Sequence, residues 1–454
     1  MRNIFWFRND LRLENNEALV SALEDSSEVI PIYIISDSFI NSPEISAARV
    51  NFLFDALNNL NESLSKHNSK LIIRVGKPEK ELINLARETN SKGIYFNKVY
   101  DKNEIASEKN IIGYFAKSGY RVKTFKDSVI FDEKDISINN SRGLLTFDKF
   151  KAKWLNKLSK ENYALKKNNK KLFSKFINKN FEIYSLNKIN AKNFGFSENK
   201  CKFEAIENEA KLQIKKLFQE NNDNTSIDYS IILGLYLRFG LISIKKILSY
   251  IKNIKELKNN EKYILEYLIK NDYYSQLNFF EEDFEIFEDK NNDWDEYNTF
   301  ISICNSKSGI PIIDAIFYQI ESEFVIKDSM KEILINFFMY NLQMNIDWLK
   351  RYLVCKTVDG DSYIYKNGFD NFKLKSIKDF DFINFQKKDL SNISYIKKFI
   401  PILENVPDFF IYEPYKMPIS LQNKLNCIIG KDYPYPIIKD NILEIDYIEL
   451  YLKD

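Results

Sequence analysis

The sequence predicts two domains of different class: an α/β N-terminal domain built on a doubly wound parallel sheet, followed by an all-α C-terminal domain. Three observations carry this. Over the first 130 residues, five apolar, β-rich runs alternate with amphipathic stretches of helical period. Beyond residue 200 the apolar period is mostly 3.6. Between the two, over 131–200, periodicity dissolves into Lys/Asn-rich sequence, which predicts a long interdomain connection.

The strands are expected at NIFWFR (3–8), EVIPIYII (28–35), KLIIRV (70–75), GIYFNK (93–98) and YRVKTF (120–125). Runs continuous in Ile, Val and Tyr are those of a parallel sheet covered on both faces. The helices between them read NEALVSALE, ARVNFLFDALNNLNESLSK, PEKELINLARE and EIASEKNIIGYFAKSG. No GxGxxG or GxxxxGK follows a strand, so the usual dinucleotide and P-loop fingerprints are missing. Residues 151–180 hold ten lysines and one glutamate, Glu161. That is either a solvated connector or a local patch that meets phosphates. The helical half reads KFEAIENEAKLQIKKLF, IKKILSYIKNIKELK, EKYILEYLIKNDYYSQLNFF, PIIDAIFYQIESEF and SMKEILINFFMYNLQMNIDWLKRYLV. Aromatic residues make up 15% of the chain, and at helical spacing such residues are normally core.

Composition narrows the function. With 44% hydrophobic residues in 454, the chain is long enough for two or three well-packed domains. No apolar run reaches membrane-spanning length and no signal-peptide layout opens the chain, so a soluble, cytoplasmic protein is expected. The four cysteines (Cys201, Cys304, Cys355, Cys427) lie far apart without a CxxC pair, which argues against a metal ribbon or a disulfide framework. The single histidine, His67 in SKHNSK, reads as a solvated helix end, which removes His-dependent triads and His-rich metal sites. The net charge of +2 announces no polyanion partner by itself.

The segment WFRNDLRLENNEAL (6–19) resembles the opening of the DNA photolyase/cryptochrome family. Further segments resemble the family's in order: NKVYDKNEIASEKN (97–110), FDKFKAKWL (147–155), LYLRFGLISI (235–244), SGIPIIDAIFYQI (308–320), NIDWLKRYL (345–353), FIPILENVPDFFIYEP (399–414) and YPYPIIKD (433–440). The resemblance implies an N-terminal antenna domain over 1–130, a linker over 131–200, and an FAD-binding and DNA-binding helical domain over 201–454. It implies light-dependent repair of pyrimidine dimers by electron transfer from reduced FAD, on bases flipped out of damaged DNA. It also implies a monomeric protein without metal. Two other readings share this fold: a cryptochrome-like flavin photosensor, and a degenerate flavin-poor homologue with a binding role.

Residue by residue, the family's T-S-x-L-S run against the flavin phosphates is matched by Ser230, Ile231, Ile232, Leu233 and Gly234. A flavin-contacting tyrosine is matched by Phe218. Each lost hydrogen bond to a phosphate costs about 1.5–3 kcal/mol unless Thr225, Ser226 or Tyr229 compensates; Gly234 would admit close backbone approach to a phosphate. The family's H-N-R triplet is matched by Lys327, Asp328 and Ser329, and the arginine that pairs near the flavin by Lys331. Its D-x-D partner is kept as Asp359, Gly360 and Asp361; Lys retains charge without bidentate geometry. In the N-N-G-x-W-x-W segment the position facing flavin N5 is Tyr365, and the first tryptophan position carries Phe369; the resemblance assigns catalytic roles to these two and to Trp348, the middle relay tryptophan. The outer relay position falls near Ile303, with Phe300 close by. Asn222, Lys270, Asp272, Lys327 and Asp328 fall on DNA-side positions, with Lys366 and Arg238 as further phosphate candidates. Asn103 and Glu104, with Lys307 from the helical half, match the residues that grip a folate antenna, methenyltetrahydrofolate.

Overall fold

A computed structural model describes residues 1–140, 143–161, 170–219, 229–251, 253, 256–277, 294–360 and 391–437. Its contacts divide into two units, Met1–Asp283 with Val358–Asn367, and Phe284–Thr357 with Gly368–Asp454. The end of the predicted sheet domain and the whole predicted linker fall inside the first unit.

The first unit is built on five parallel strands, β1 (Arg2–Phe7), β2 (Glu28–Ile35), β3 (Ile72–Val75), β4 (Gly93–Asn97) and β5 (Arg121–Phe125), in the order β3-β2-β1-β4-β5. Helices α1 (Glu17–Asp25), α2 (Asp37–Ile40), α3 (Ala47–Ser65), α4 (Pro78–Glu88) and α5 (Lys102–Lys117) fall between strands, so every crossover is helical and the sheet is doubly wound. The strand period of two sorts the side chains by face. Ile4, Trp6, Ile30, Ile32, Ile72, Ile94 and Phe96 pack with Leu82 and Leu85 of α4 and Ile111 and Phe115 of α5. Their neighbours Phe5, Phe7, Val29, Ile73 and Tyr95 are equally buried and alternate with them along the strands. Both faces are therefore apolar, which is why these runs show no alternation in sequence.

The connector lies against the sheet rather than apart from it. It carries a short hairpin, β6 (Asn139–Asn140) with β7 (Gly143–Leu144), and helix α6 (Phe147–Leu158). Farther on, the Ile177 amide donates to the Val29 carbonyl and the Leu186 amide to the Ile73 carbonyl, both at 2.9 Å. Helices α7 (Glu207–Gln219), α8 (Tyr229–Arg238), α9 (Ile244–Leu248) and α10 (Asn259–Leu277) complete this unit. Helix α9 ends well short of the predicted Lys258, where the Ser249 hydroxyl turns back onto the Lys246 carbonyl and competes with continuation.

The second unit contains α11 (Trp294–Cys304), α12 (Pro311–Glu323), α13 (Asp328–Asn336), α14 (Ile346–Lys356), α15 (Ser391–Phe399) and α16 (Ile419–Leu425). The segment SMKEILINFFMYNLQMNIDWLKRYLV, predicted as one helical stretch, is broken. A π-helical turn over Phe337–Asn341 follows α13, Gln343 takes φ 53°, and Asn345 caps α14 through the Asp347 amide. The unit is stapled by a buried acid. Asp314 accepts from the Ser308 amide and hydroxyl (2.8 and 2.7 Å), the Gly309 amide (3.1 Å) and the Tyr433 hydroxyl (2.6 Å). Burial, above all, holds its carboxyl above the ordinary range. A Cβ added at Gly309, which holds φ +71°, would lie 2.2 Å from the Tyr435 carbonyl oxygen. The SGIPIIDA and YPYP segments are thus two halves of one joint. Tyr433→Phe, which removes one donor from that carboxyl, is expected to cost about 1–2 kcal/mol, read as a lowered denaturant midpoint with unchanged slope.

All four cysteines stand as free thiols. No helix among the described residues is long and apolar enough to cross a membrane.

Candidate functional site

In a doubly wound sheet, ligands enter at the carboxyl ends of the strands where the order reverses, here between β1 and β4. This chain plugs that point with its own opening segment. Asp10 is buried and accepts from the Arg8 amide (2.7 Å) and from the side-chain amides of Asn16 (3.0 Å) and Asn97 (2.7 Å). Burial, and next the neighbouring Asp127 charge, hold the Asp10 carboxyl above the usual range. Arg8 lies 4.5 Å over the Trp6 ring and reaches Glu104 (2.6 Å) and Glu108 (2.7 Å). Arg12, 1% exposed, meets Asp127 at 2.5 Å and donates to the carbonyls of Glu14, Asn15 and Gly240 at 2.9–3.1 Å. The Leu11 amide adds a bond to the Phe239 carbonyl, and Glu207 of α7 accepts from the Leu13 and Glu14 amides. The WFRNDLRLENN segment therefore clasps the end of LRFG. Its charges are structural, and sequence reasoning missed their partners Asp127 and Glu207.

Of the antenna positions, Glu104 has its Oε2 held by Arg8 while its side chain stays 42% exposed. The side chain of Asn103 lies outside the described residues. Lys307 is exposed, in the turn after α11 in the second unit.

The positions expected around the flavin in the first unit are helical. Ser230, Ile231, Ile232, Leu233 and Gly234 form the first half of α8, all buried. Phe218 of α7 packs on Tyr250, ring centroids 5.3 Å apart. The expectation that Gly234 leaves room for a phosphate is corrected. A Cβ there would lie 2.9 Å from Asp359 Oδ2 and 3.1 Å from the Tyr267 hydroxyl, so the space belongs to these side chains. Asp359 is 4% exposed, and the preceding Val358 carbonyl accepts from Arg49 of α3 at 3.1 Å. Gly360 is buried beside it.

Asp272, expected on the DNA side, is a second correction. Its carboxylate is fully buried and accepts from the Ile130 and Phe131 amides and from the Trp154 indole, at 2.8–3.2 Å. It ties α10 to the connector and to α6, and meets no solvent. Lys270 is half-buried and shares Glu266 with Lys151, at 3.4 and 2.7 Å.

In the second unit Lys331 is buried and meets Asp328 at 3.1 Å. Lys327, at the N-cap of α13, stands 5.7 Å from the Tyr395 ring. Trp348 of α14 contacts Tyr297 and Phe300, with centroids at 5.4 and 5.7 Å. Ile303 is fully buried, and Phe300 is the ring that takes part in this cluster. Asn222, Thr225, Ser226, Asp361, Tyr365, Lys366 and Phe369 lie outside the described residues.

A solved bacterial class III photolyase from Agrobacterium tumefaciens superposes with a TM-score of 0.81 at 20% identity, covering 99% of this chain and 97% of that one. The family model described as DNA photolyase matches residues 3–168, and that described as FAD binding domain of DNA photolyase matches residues 253–446. The chain belongs to the DNA photolyase/cryptochrome family. Relatives include a (6-4)DNA photolyase of Arabidopsis thaliana, 26% identical over 96% of this chain and 85% of that protein. A deoxyribodipyrimidine photo-lyase of Buchnera aphidicola is 24% identical over 96% of this chain and 94% of that protein. Cryptochromes stand among the relatives as well. The stretch between the two family matches, 169–252, is the one that holds Phe218 and Ser230–Gly234.

Proposed function

We propose that the chain is a light-driven repair enzyme that splits pyrimidine dimers in DNA, with FAD held by its helical region. The observation that carries this reading is the burial of Lys331 and Asp359, 5% and 4% exposed, at the two positions the family uses beside its flavin. A buried charge is costly unless paired, and Lys331 meets Asp328 at 3.1 Å. In the first unit, Ser230 would meet a flavin phosphate, Phe218 would pack on the cofactor, and Asp359 would hold the ring side. A reduced flavin bound there supplies the electron on illumination. The chain's own part is to bind it, exclude water and seat the flipped bases. Lys270 and Lys327 are proposed to meet DNA phosphates, which predicts affinity that falls with salt. A folate antenna would use Glu104 through Oε1, with Asn103.

The aliphatic run Ile231–Leu233 and the filled space at Gly234 favour a second reading, a flavin-poor homologue that binds without photochemistry. The absorption spectrum of the purified protein, before and after incubation with FAD, decides between them. Blue-region flavin bands together with light-dependent loss of dimers from an irradiated oligonucleotide are expected. Flavin without dimer loss would instead support a photosensor, and a protein that stays colourless with added FAD would remove both photochemical readings.

A further inference from the structure

At the amino ends of β2 and β3, opposite the clasped end of the sheet, two distant stretches of the first unit meet. One is the end of α3 with the turn after it, residues 61–70. The other is 170–179 of the connector, which opens with a short 3-10 helix over Lys170–Lys175. The Lys179 amide donates to the Asn68 carbonyl at 2.9 Å, and the His67 ring stands edge-on to Phe173, centroids 4.8 Å apart. The two stretches carry six lysines to one corner: Lys66, Lys70, Lys170, Lys171, Lys175 and Lys179. Glu62 is the one acid in either stretch. Of the two acids that close α1 nearby, Asp25 is already held by Lys123 at 2.6 Å and the Tyr95 hydroxyl at 2.9 Å. Lys70 and Lys175 lie down on the Phe181 and Leu23 carbonyls, both at 2.7 Å. Lys66, Lys170 and Lys179 are exposed, and their ammonium groups have no ion pair or hydrogen bond among the described residues. Burial, and then the charges of Lys170 and Lys66, hold the His67 ring below its ordinary range.

We propose that this corner binds the phosphate backbone of duplex nucleic acid without reading its bases. Two observations select that partner. Every cation is a lysine, a point charge suited to phosphate, and no arginine offers a fork for a carboxylate of an acidic peptide or for a base edge. No large apolar side chain is exposed in either stretch, so a membrane would meet charge alone, and lasting attachment there takes a second signal. The net charge of +2 conceals the corner, because acids elsewhere in the chain offset its lysines. The corner is separate from the positions proposed for damaged DNA, since Lys270 belongs to α10 and Lys327 caps α13. Nothing in it needs FAD. Each phosphate neutralised there would release about one condensed counterion, which makes the contact steeply dependent on salt.

His67 is the only histidine, so its imidazole signal in a carbon–proton NMR spectrum reports this corner alone. An undamaged DNA duplex is expected to shift that signal and to move the titration midpoint of the ring upward, because phosphates beside it favour the charged form. In the triple variant Lys66→Gln, Lys170→Gln, Lys179→Gln, fluorescence anisotropy should show the slope of log affinity against log salt reduced by about 2–3. Affinity should fall alike for unrelated sequences. The three side chains are exposed, and circular dichroism checks that the variant folds. A His67 signal that stays fixed once anisotropy is saturated overturns the proposal, and so does an unchanged slope in the variant. A signal that moves with phosphatidylserine vesicles and not with the duplex overturns it in favour of a membrane surface. Failure of flavin binding or of dimer repair leaves these measurements untouched, since they use intact DNA and no light.

Discussion

Gly240→Ala is expected to cost at least about 4 kcal/mol, enough to leave much of the protein unfolded at 37 °C. The added Cβ would sit 2.0 Å from the Asn9 carbonyl oxygen and 2.5 Å from the Asp10 Cα, both backbone atoms that cannot swing aside. Gly240 also holds φ +61°, a conformation that costs an L side chain about 1 kcal/mol before any clash. Relief would require pulling the chain apart where Leu11 meets Phe239 and Arg12 meets the Gly240 carbonyl. Arg12 would then be left buried with fewer acceptors, adding its own penalty. Urea unfolding followed by circular dichroism measures the effect. A variant within about 0.5 kcal/mol of the parent would show that this contact carries no weight.

Asp272→Ala should be nearly as severe, at about 3–5 kcal/mol, because it orphans two backbone amides and the Trp154 indole in a dry site. The same carboxyl makes stability depend on pH. Burial outweighs its three N–H donors and pushes its pKa from 3.8 up to about 7. The folded state therefore holds the proton more tightly than the unfolded chain does. The contribution is full below the unfolded value of 3.8 and is lost as pH rises through about 7. Relative to Asp272→Asn, whose side chain does not titrate, the parent's urea midpoint should fall between about pH 4 and about pH 7 and level off above. Parallel midpoints across that range would mean the donors, not burial, set the protonation.

The five strands were legible because a parallel sheet covered on both faces demands unbroken apolar runs, and each run has its counterpart in β1 to β5. The motifs were legible as ancestry, but their work was not. Asp272 lies on a strongly helical pattern whose sequence does not say which polar residue turns inward; its partners stand 118–142 positions away. Gly234 announced open space, and only the fold reveals that Tyr267 and Asp359 fill it. Glu104 read as a ligand-gripping acid and has one oxygen held by Arg8. Helix α9 and the π-helical turn departed from the pattern because serine and asparagine offered local hydrogen bonds that periodicity ignores.

The bond from Arg12 to the Gly240 carbonyl spans 228 positions. A ribosome adding roughly 5–20 residues each second would need some 10–50 s to supply the second partner after the first has emerged. Glu14, Asn15 and Asp127 emerge within 115 positions, so through that interval the guanidinium has its ion pair and lacks this one acceptor. The strands and the helices between them can thus pack first, and the bond to Gly240 closes over a sheet already assembled.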